Sequence, residues 1–168
     1  ADAHVFLAIA LGREGRLLST LTVLRRGYPT QAKAELDTAI AADSDNAFAW
    51  GALAGWNIEL VHKGGARLAS ALYGASVASG LTDFNKAFAL APDNIALRYQ
   101  YALTMSAYDV NAFSTRINDA LMRVLNGEPH GAYEMFVRDR ARELRDTLKK
   151  GDLDAYAALV SRDQGNPD

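Results

Sequence analysis

No cysteine occurs anywhere in the 168 residues, which excludes disulfides, thiolate nucleophiles and thiolate metal ligands and leaves stability to packing alone. Proline is scarce, at four, and no stretch alternates Val, Ile and Thr with polar residues as a half-buried strand would. With 49% apolar residues, many of them alanine, this is the composition of an all-α protein. Neither sign of charge prevails. Eighteen Lys and Arg against 20 Asp and Glu leave a net charge of −2, which gives no general electrostatic reason to bind nucleic acid or an anionic membrane. Long apolar runs are missing too: Val5 to Leu11 is too short to span a bilayer and gives way to Gly12-Arg13-Glu14-Gly15-Arg16. The opening Ala1-Asp2-Ala3, without Met, is what a trimmed tag or a removed secretory signal leaves. A soluble periplasmic or secreted chain is therefore expected, with the cytoplasm as the alternative. The length suits one domain over residues 1–168.

Catalytic constellations are also lacking. His4, His62 and His130 lie far apart and none belongs to a metal-binding motif, so structural or surface histidines are expected. Ser70, Ser76 and Ser79 lie near glycines without forming a Gly-x-Ser-x-Gly elbow or a phosphate loop. Gly12-Arg13-Glu14-Gly15 follows no strand and is no dinucleotide fingerprint. Arg138, Arg140, Arg142 and Arg145 suggest an anion-binding helix until Asp139, Glu143 and Asp146 are counted; interleaved signs describe a solvated, partly ion-paired face. No enzyme activity, cofactor or metal is expected.

Helical periodicity fills the chain instead. Phe6, Leu7, Ile9, Ala10, Leu17, Leu18, Leu21 and Leu24 predict a first helix, weakened at Gly12 and Gly15 and ended by Arg26-Gly27-Tyr28-Pro29. Thr30 is the expected cap of a helix running to about Asp43, and Asn46 starts another that stops at Lys63-Gly64-Gly65. The pattern from Ala66 to Ala91 is continuous enough for one long helix, kinked or broken around Gly74 and Gly80. Asp93 is the expected cap of a helix ending near Asp109. Further helices are predicted over 112–125, over 133–150 and after Asp152, and the tail from Arg162 to Asp168 is expected to be mobile.

Within this pattern one segment is written twice. Ala32, Leu36, Ala39 and the turn Ser44-Asp45-Asn46 return as Gly80, Phe84, Ala87 and Pro92-Asp93-Asn94. Trp50, Leu53 and Ala54 follow the first copy, and Tyr101 and Ala102 follow the second. This arrangement resembles the tetratricopeptide repeat (TPR), in which small residues sit where the two helices of a hairpin touch. Three departures stand out. Ala39 and Ala87 are 48 residues apart where the family period is about 34. Arg98 takes the place of an expected aromatic, and Ser44 that of the turn proline. The likeness covers about residues 30–108, with 109–168 as divergent C-terminal helices. The added residues, around 68–79, resemble an insertion in small secreted bacterial TPR-like proteins and read as a close helix contact or a lip over the groove.

The resemblance implies antiparallel hairpins stacked as a short right-handed superhelix whose first helices line a concave groove for a peptide or partner protein. By matching, that groove would hold Phe48, Gly51, Gly55, Ile58 and Glu59 from one helix and Ala96, Tyr99, Leu103 and Ser106 from the next, with Tyr99 as its leading anchor. The residues themselves leave open that Phe48, Ile58 and Leu103 are ordinary core. The Lys and Asn clamp by which one TPR subtype holds a peptide carboxylate is missing, since only Asn57 and Arg98 qualify. A non-enzymatic interaction module with an unidentified protein or peptide partner is the expectation, homo-oligomer left open. The alternative is a periplasmic accessory protein holding a small apolar ligand among Trp56, Tyr73 and Tyr99, as in TPR components of transporter systems.

Overall fold

A computed structural model describes residues 1–166, and among them all regular structure is helical. The chain forms two compact units, Ala1–Pro92 and Asp93–Asp168. No helix among the described residues is long and apolar enough to cross a membrane.

The first unit contains α1 (Asp2–Arg16), α2 (Thr20–Arg25), α3 (Tyr28–Ala42), α4 (Ala47–Gly64), α5 (Ala66–Tyr73) and α6 (Val77–Leu90). The single helix expected from Phe6 to Leu24 is thus two. Ser19 divides them: its backbone is extended and its hydroxyl accepts from the Thr22 amide at 3.3 Å, satisfying a donor that a continuous helix would have bonded internally. The start of α3 also differs from expectation. Gly27, in the left-handed region at φ 68°, turns the chain, and Pro29 sits in the first turn, where its missing N–H leaves no helical bond unmade. Thr30 lies inside the helix and does not cap it.

Asn46 caps α4 as expected, accepting from the Ala49 amide at 3.0 Å. The long stretch from Ala66 to Ala91 breaks as expected, at Gly74 and not at Gly80. Gly74 ends α5 with φ 66°, and Ser76, extended, caps α6 by accepting from the Ser79 amide at 3.0 Å. Gly80 lies within α6 and has another role. A Cβ there would stand 2.6 Å from Ile58 Cγ1 and 2.9 Å from the Ala54 carbonyl oxygen, so glycine is what lets α6 lie directly on α4.

Small residues recur at the other helix contacts. Ala39, Ala49, Ala54 and Ala87 are fully buried. The two copies of the repeated segment match in burial as well as sequence: Ala32 with Gly80, Leu36 with Phe84, and Ala39 with Ala87 are all buried. Within 68–79 only Ala69 and Ala75 are buried, while Leu68 and Leu72 face solvent.

The second unit contains α7 (Ile95–Asn126), α8 (Ala132–Lys150) and α9 (Leu153–Gln164), each packed against the other two. Asn94, not Asp93, caps α7, accepting from the Leu97 amide at 2.9 Å just as Asn46 does in the first copy. The helix is interrupted at Asp109, whose backbone is extended and whose Oδ1 accepts from the Ala112 amide at 2.9 Å. One arm, 95–108, therefore ends where the pattern predicted, and Asp109 caps a second arm over 110–126. Ile117, Leu121, Val124, Val137, Leu144 and Tyr156 fill the core of this unit. Gly151, at φ 73°, and the Asp152 cap turn α8 into α9. The expectation of a mobile tail from Arg162 fails at its start: Arg162, Asp163 and Gln164 belong to α9, and the Asp163 side chain is only 5% exposed because three groups bind it. Pro167 and Asp168 lie outside the described residues.

Two glycine substitutions should separate these roles. Gly80→Ala overpacks a helix crossing against backbone and should cost about 1–3 kcal/mol in denaturant unfolding. Gly12→Ala, on a helical position with nothing within 4 Å, should stabilise by about 0.5–1 kcal/mol. Equal effects would mean that Gly80 does not set the crossing.

Candidate functional site

The residues expected to line a groove fall into two sets, one on each unit. Phe48, Gly55, Ile58 and Glu59 lie on α4, and Tyr99, Leu103 and Ser106 lie on the first arm of α7. On α4, Phe48, Gly55 and Glu59 follow at intervals of seven and four and lie on one face, with Ile58 to its side. Phe48 is 51% exposed, whereas Ile58 is buried beneath Gly80 of α6. Gly55 is half-buried. Glu59 turns towards α1, where Arg16 grips it bidentately through Nε at 3.1 Å and Nη2 at 2.9 Å, and Lys63 adds a second cation at 3.1 Å. Burial works to raise the Glu59 pKa, but the Arg16 charge and hydrogen bonds, helped by Lys63, outweigh it and hold the carboxyl below its ordinary value.

The three α7 residues also share a face, and α9 lies against it. Tyr99 donates to Asp163 Oδ2 at 2.5 Å. One turn on, the Leu103 carbonyl accepts from Gln164 Nε2 at 3.4 Å, and Leu103 is 3% exposed. Ser106 shares a hydrogen bond of 2.7 Å with the Tyr156 hydroxyl and donates another to the Ala102 carbonyl. Asp163 also accepts from Arg162 Nε at 2.8 Å and lies 3.8 Å from Arg140 Nε. Burial, and then the carboxylate that takes its hydrogen bond, hold the Tyr99 phenol well above its usual range. The face that sequence matching assigned to a partner is thus occupied by the chain's own last helix.

A polar and aromatic cluster in the first unit was not foreseen. Asn57, buried in the otherwise apolar run of α4, donates through Nδ2 to the Leu53 carbonyl at 3.2 Å and to Asp83 Oδ2 at 3.0 Å. Its Oδ1 accepts from the Ser76 amide at 3.3 Å. One side chain therefore ties α4 to both the start and the middle of α6. Beside it, Trp56 donates to the Pro29 carbonyl at 2.9 Å, stands edge to face with Tyr73 at 6.3 Å, and carries the Lys33 ammonium 5.9 Å from its ring centre. Of the aromatics proposed for an apolar pocket, Trp56 and Tyr73 meet here, and Tyr99 belongs to the second unit.

The repeat register would have exposed half of this cluster. Asp83 stands in the second copy where Glu35 stands in the first, and Glu35 pairs with His4 Nδ1 of α1 at 2.5 Å. In both hairpins an acid on the second helix thus meets a polar side chain on the first. Chemically the cluster offers a half-buried acid, an ammonium and a stacked indole. It offers no nucleophile with an adjacent base.

Burial raises the Asp83 pKa to about 6, against the lowering effects of the Asn57 hydrogen bond and the Lys33 charge. The folded chain thus holds this proton more tightly than the unfolded chain, where the carboxyl keeps its ordinary value of 3.8. The group's contribution to stability falls as pH rises from about 4 to about 6 and is level above. Asp83→Asn keeps an acceptor for Asn57, so it should match wild type near pH 4 and exceed it in melting temperature at pH 7. A gain independent of pH would remove Asp83 as its source. In the second unit, Tyr99→Phe should cost about 1.5 kcal/mol by deleting one hydrogen bond to a carboxylate while keeping the ring. Unfolding in urea, without loss of helix in the folded baseline, would check it.

Searches of family models, curated proteins and solved structures find no match to this chain.

Proposed function

We propose that this chain is a non-enzymatic protein-interaction module built from TPR-like hairpins. In this reading α1 with α3 is one hairpin and α4 with α6 a second, both within the first unit. The observation that carries it is the equivalence of the two repeat copies: the same three positions are buried, each copy ends in an Asn that caps the next helix, and each hairpin pins an acid of its second helix to its first. Repeated hairpins of this kind present side chains rather than assemble reactive groups, and the polar clusters described here lack a paired nucleophile and base.

The partner in this reading is a peptide or protein with apolar anchors, and Phe48, the exposed member of the α4 set, is the residue that meets it. A peptide-display selection against the immobilised protein tests this. Selected peptides should share apolar positions and should lose about tenfold or more in affinity towards Phe48→Ala, a variant whose melting temperature stays close to wild type because half the ring is already in water. Peptides that bind Phe48→Ala as tightly as wild type would refute the α4 assignment. The small-ligand alternative draws on the Trp56–Tyr73 contact, and it would displace this reading if an apolar compound quenched tryptophan fluorescence saturably while no peptide bound.

A further inference from the structure

Helix α1 is apolar on two sides. Ala8 and Leu11 face the core of the first unit, yet on the side turned away from them Phe6 is 70% and Ile9 39% exposed. Asp2, Phe6, Ile9 and Arg13 follow one another at intervals of four, three and four residues, which places them in a single line along the helix. Read from the other end, the line is Arg, Ile, Phe, Asp at the same intervals. Arg13 has no ion pair or hydrogen bond among the described residues, whereas the neighbouring Arg16 and Arg26 are paired with Glu59 and Glu14.

From this self-complementary line we propose that α1 is the contact of a two-fold homodimer, packed antiparallel against α1 of a second copy. The two-fold axis passes between Leu7 and Ala8, so Asp2 of each copy faces Arg13 of the other, and Phe6 of each faces Ile9 of the other. Charge complementarity selects this occupant. A parallel pair would set Asp2 against Asp2 and Arg13 against Arg13, with helix dipoles aligned unfavourably. An anionic membrane would find one acid for each base on the line, with no net attraction. A second copy satisfies both charges and covers both apolar side chains with one repeated contact. The proposal is independent of which face of α4 meets a partner protein, since it uses no residue of that set.

Sedimentation velocity over micromolar to sub-millimolar concentrations tests it by charge exchange. Wild type should show a concentration-dependent dimer. Phe6→Glu and Arg13→Asp should each weaken it about tenfold or more, with unchanged circular dichroism because both side chains are exposed. Asp2→Arg should also fail to self-pair, while an equal mixture of the Asp2→Arg and Arg13→Asp proteins should form the heterodimer that neither forms alone. The mixture distinguishes a seam from damage to the Asn46–Asp2 hydrogen bond, since a misfolded variant could not rescue its counterpart. A wild type that stays monomeric throughout overturns the proposal. So does dimerisation unaffected by Phe6→Glu and Arg13→Asp, or folded variants that do not associate when mixed. A monomer that instead sediments with phosphatidylglycerol vesicles overturns it and gives the face to a membrane.

Discussion

The close approach of α6 to α4 at Gly80 is the constraint on which the first unit depends. Two helices can meet this nearly only where one of them has no side chain, and that missing Cβ fixes which turn of α6 lies over Ile58 and Ala54. Once that turn is fixed, Phe84 and Ala87 fall into the core and Asp83 reaches Asn57. The amide then does what packing alone cannot. By accepting from the Ser76 amide while donating to Asp83, it specifies where α6 begins as well as how it is rotated. A raised Asp83 pKa is the cost of setting a carboxylate at that crossing, and the Lys33 charge only partly offsets it.

The second unit solves a comparable problem with charge. Tyr99, Arg162 and Arg140 converge on Asp163, a carboxylate almost wholly removed from water, while Glu143 gathers Arg162 and Arg140 at the surface. A buried acid is tolerable when several donors surround it, and here they come from all three helices of the unit. The result is directional. Apolar contacts among Ile117, Leu121 and Val137 would accept many rotations of α9, but a phenol aimed at one oxygen accepts few.

How far the sequence carried depends on how local the governing interaction is. The helical class, the break at Gly65, the Asn46 cap and the arrest near Asp109 were legible because each rests on residues within one turn of one another. The division at Ser19 was missed because the Leu periodicity runs through it, and a single hydroxyl at a helix start decided against that pattern. Gly80 carried two readings, a weakness within its own helix, where glycine is unfavourable, and, through the repeat, a small residue at a helix contact; its closeness to Ile58 and Ala54 agrees with the second. The groove set was the hardest to judge. Spacing placed Tyr99, Leu103 and Ser106 correctly on one face, but nothing in their own segment announces that residues 156–164 cover it. Asn57 gave the clearest unused signal, a lone amide in an apolar stretch, whose partner becomes identifiable when Asp83 is aligned with Glu35.

The Asn57–Ser76 bond also bears on how the chain could change over evolutionary time. Gly65 ends α4 at one point and the Ser76 amide returns the chain to α4 at another, so the intervening loop starts and finishes at fixed posts. Most of what lies between, apart from Ala69 and Ala75, faces solvent. Material could be added to or removed from the outward part of α5 without altering the register of either neighbour, much as a bracket holds shelves of different depth. The 48 residues between Ala39 and Ala87 thus include a stretch that leaves α4 at one fixed point and returns to it at another.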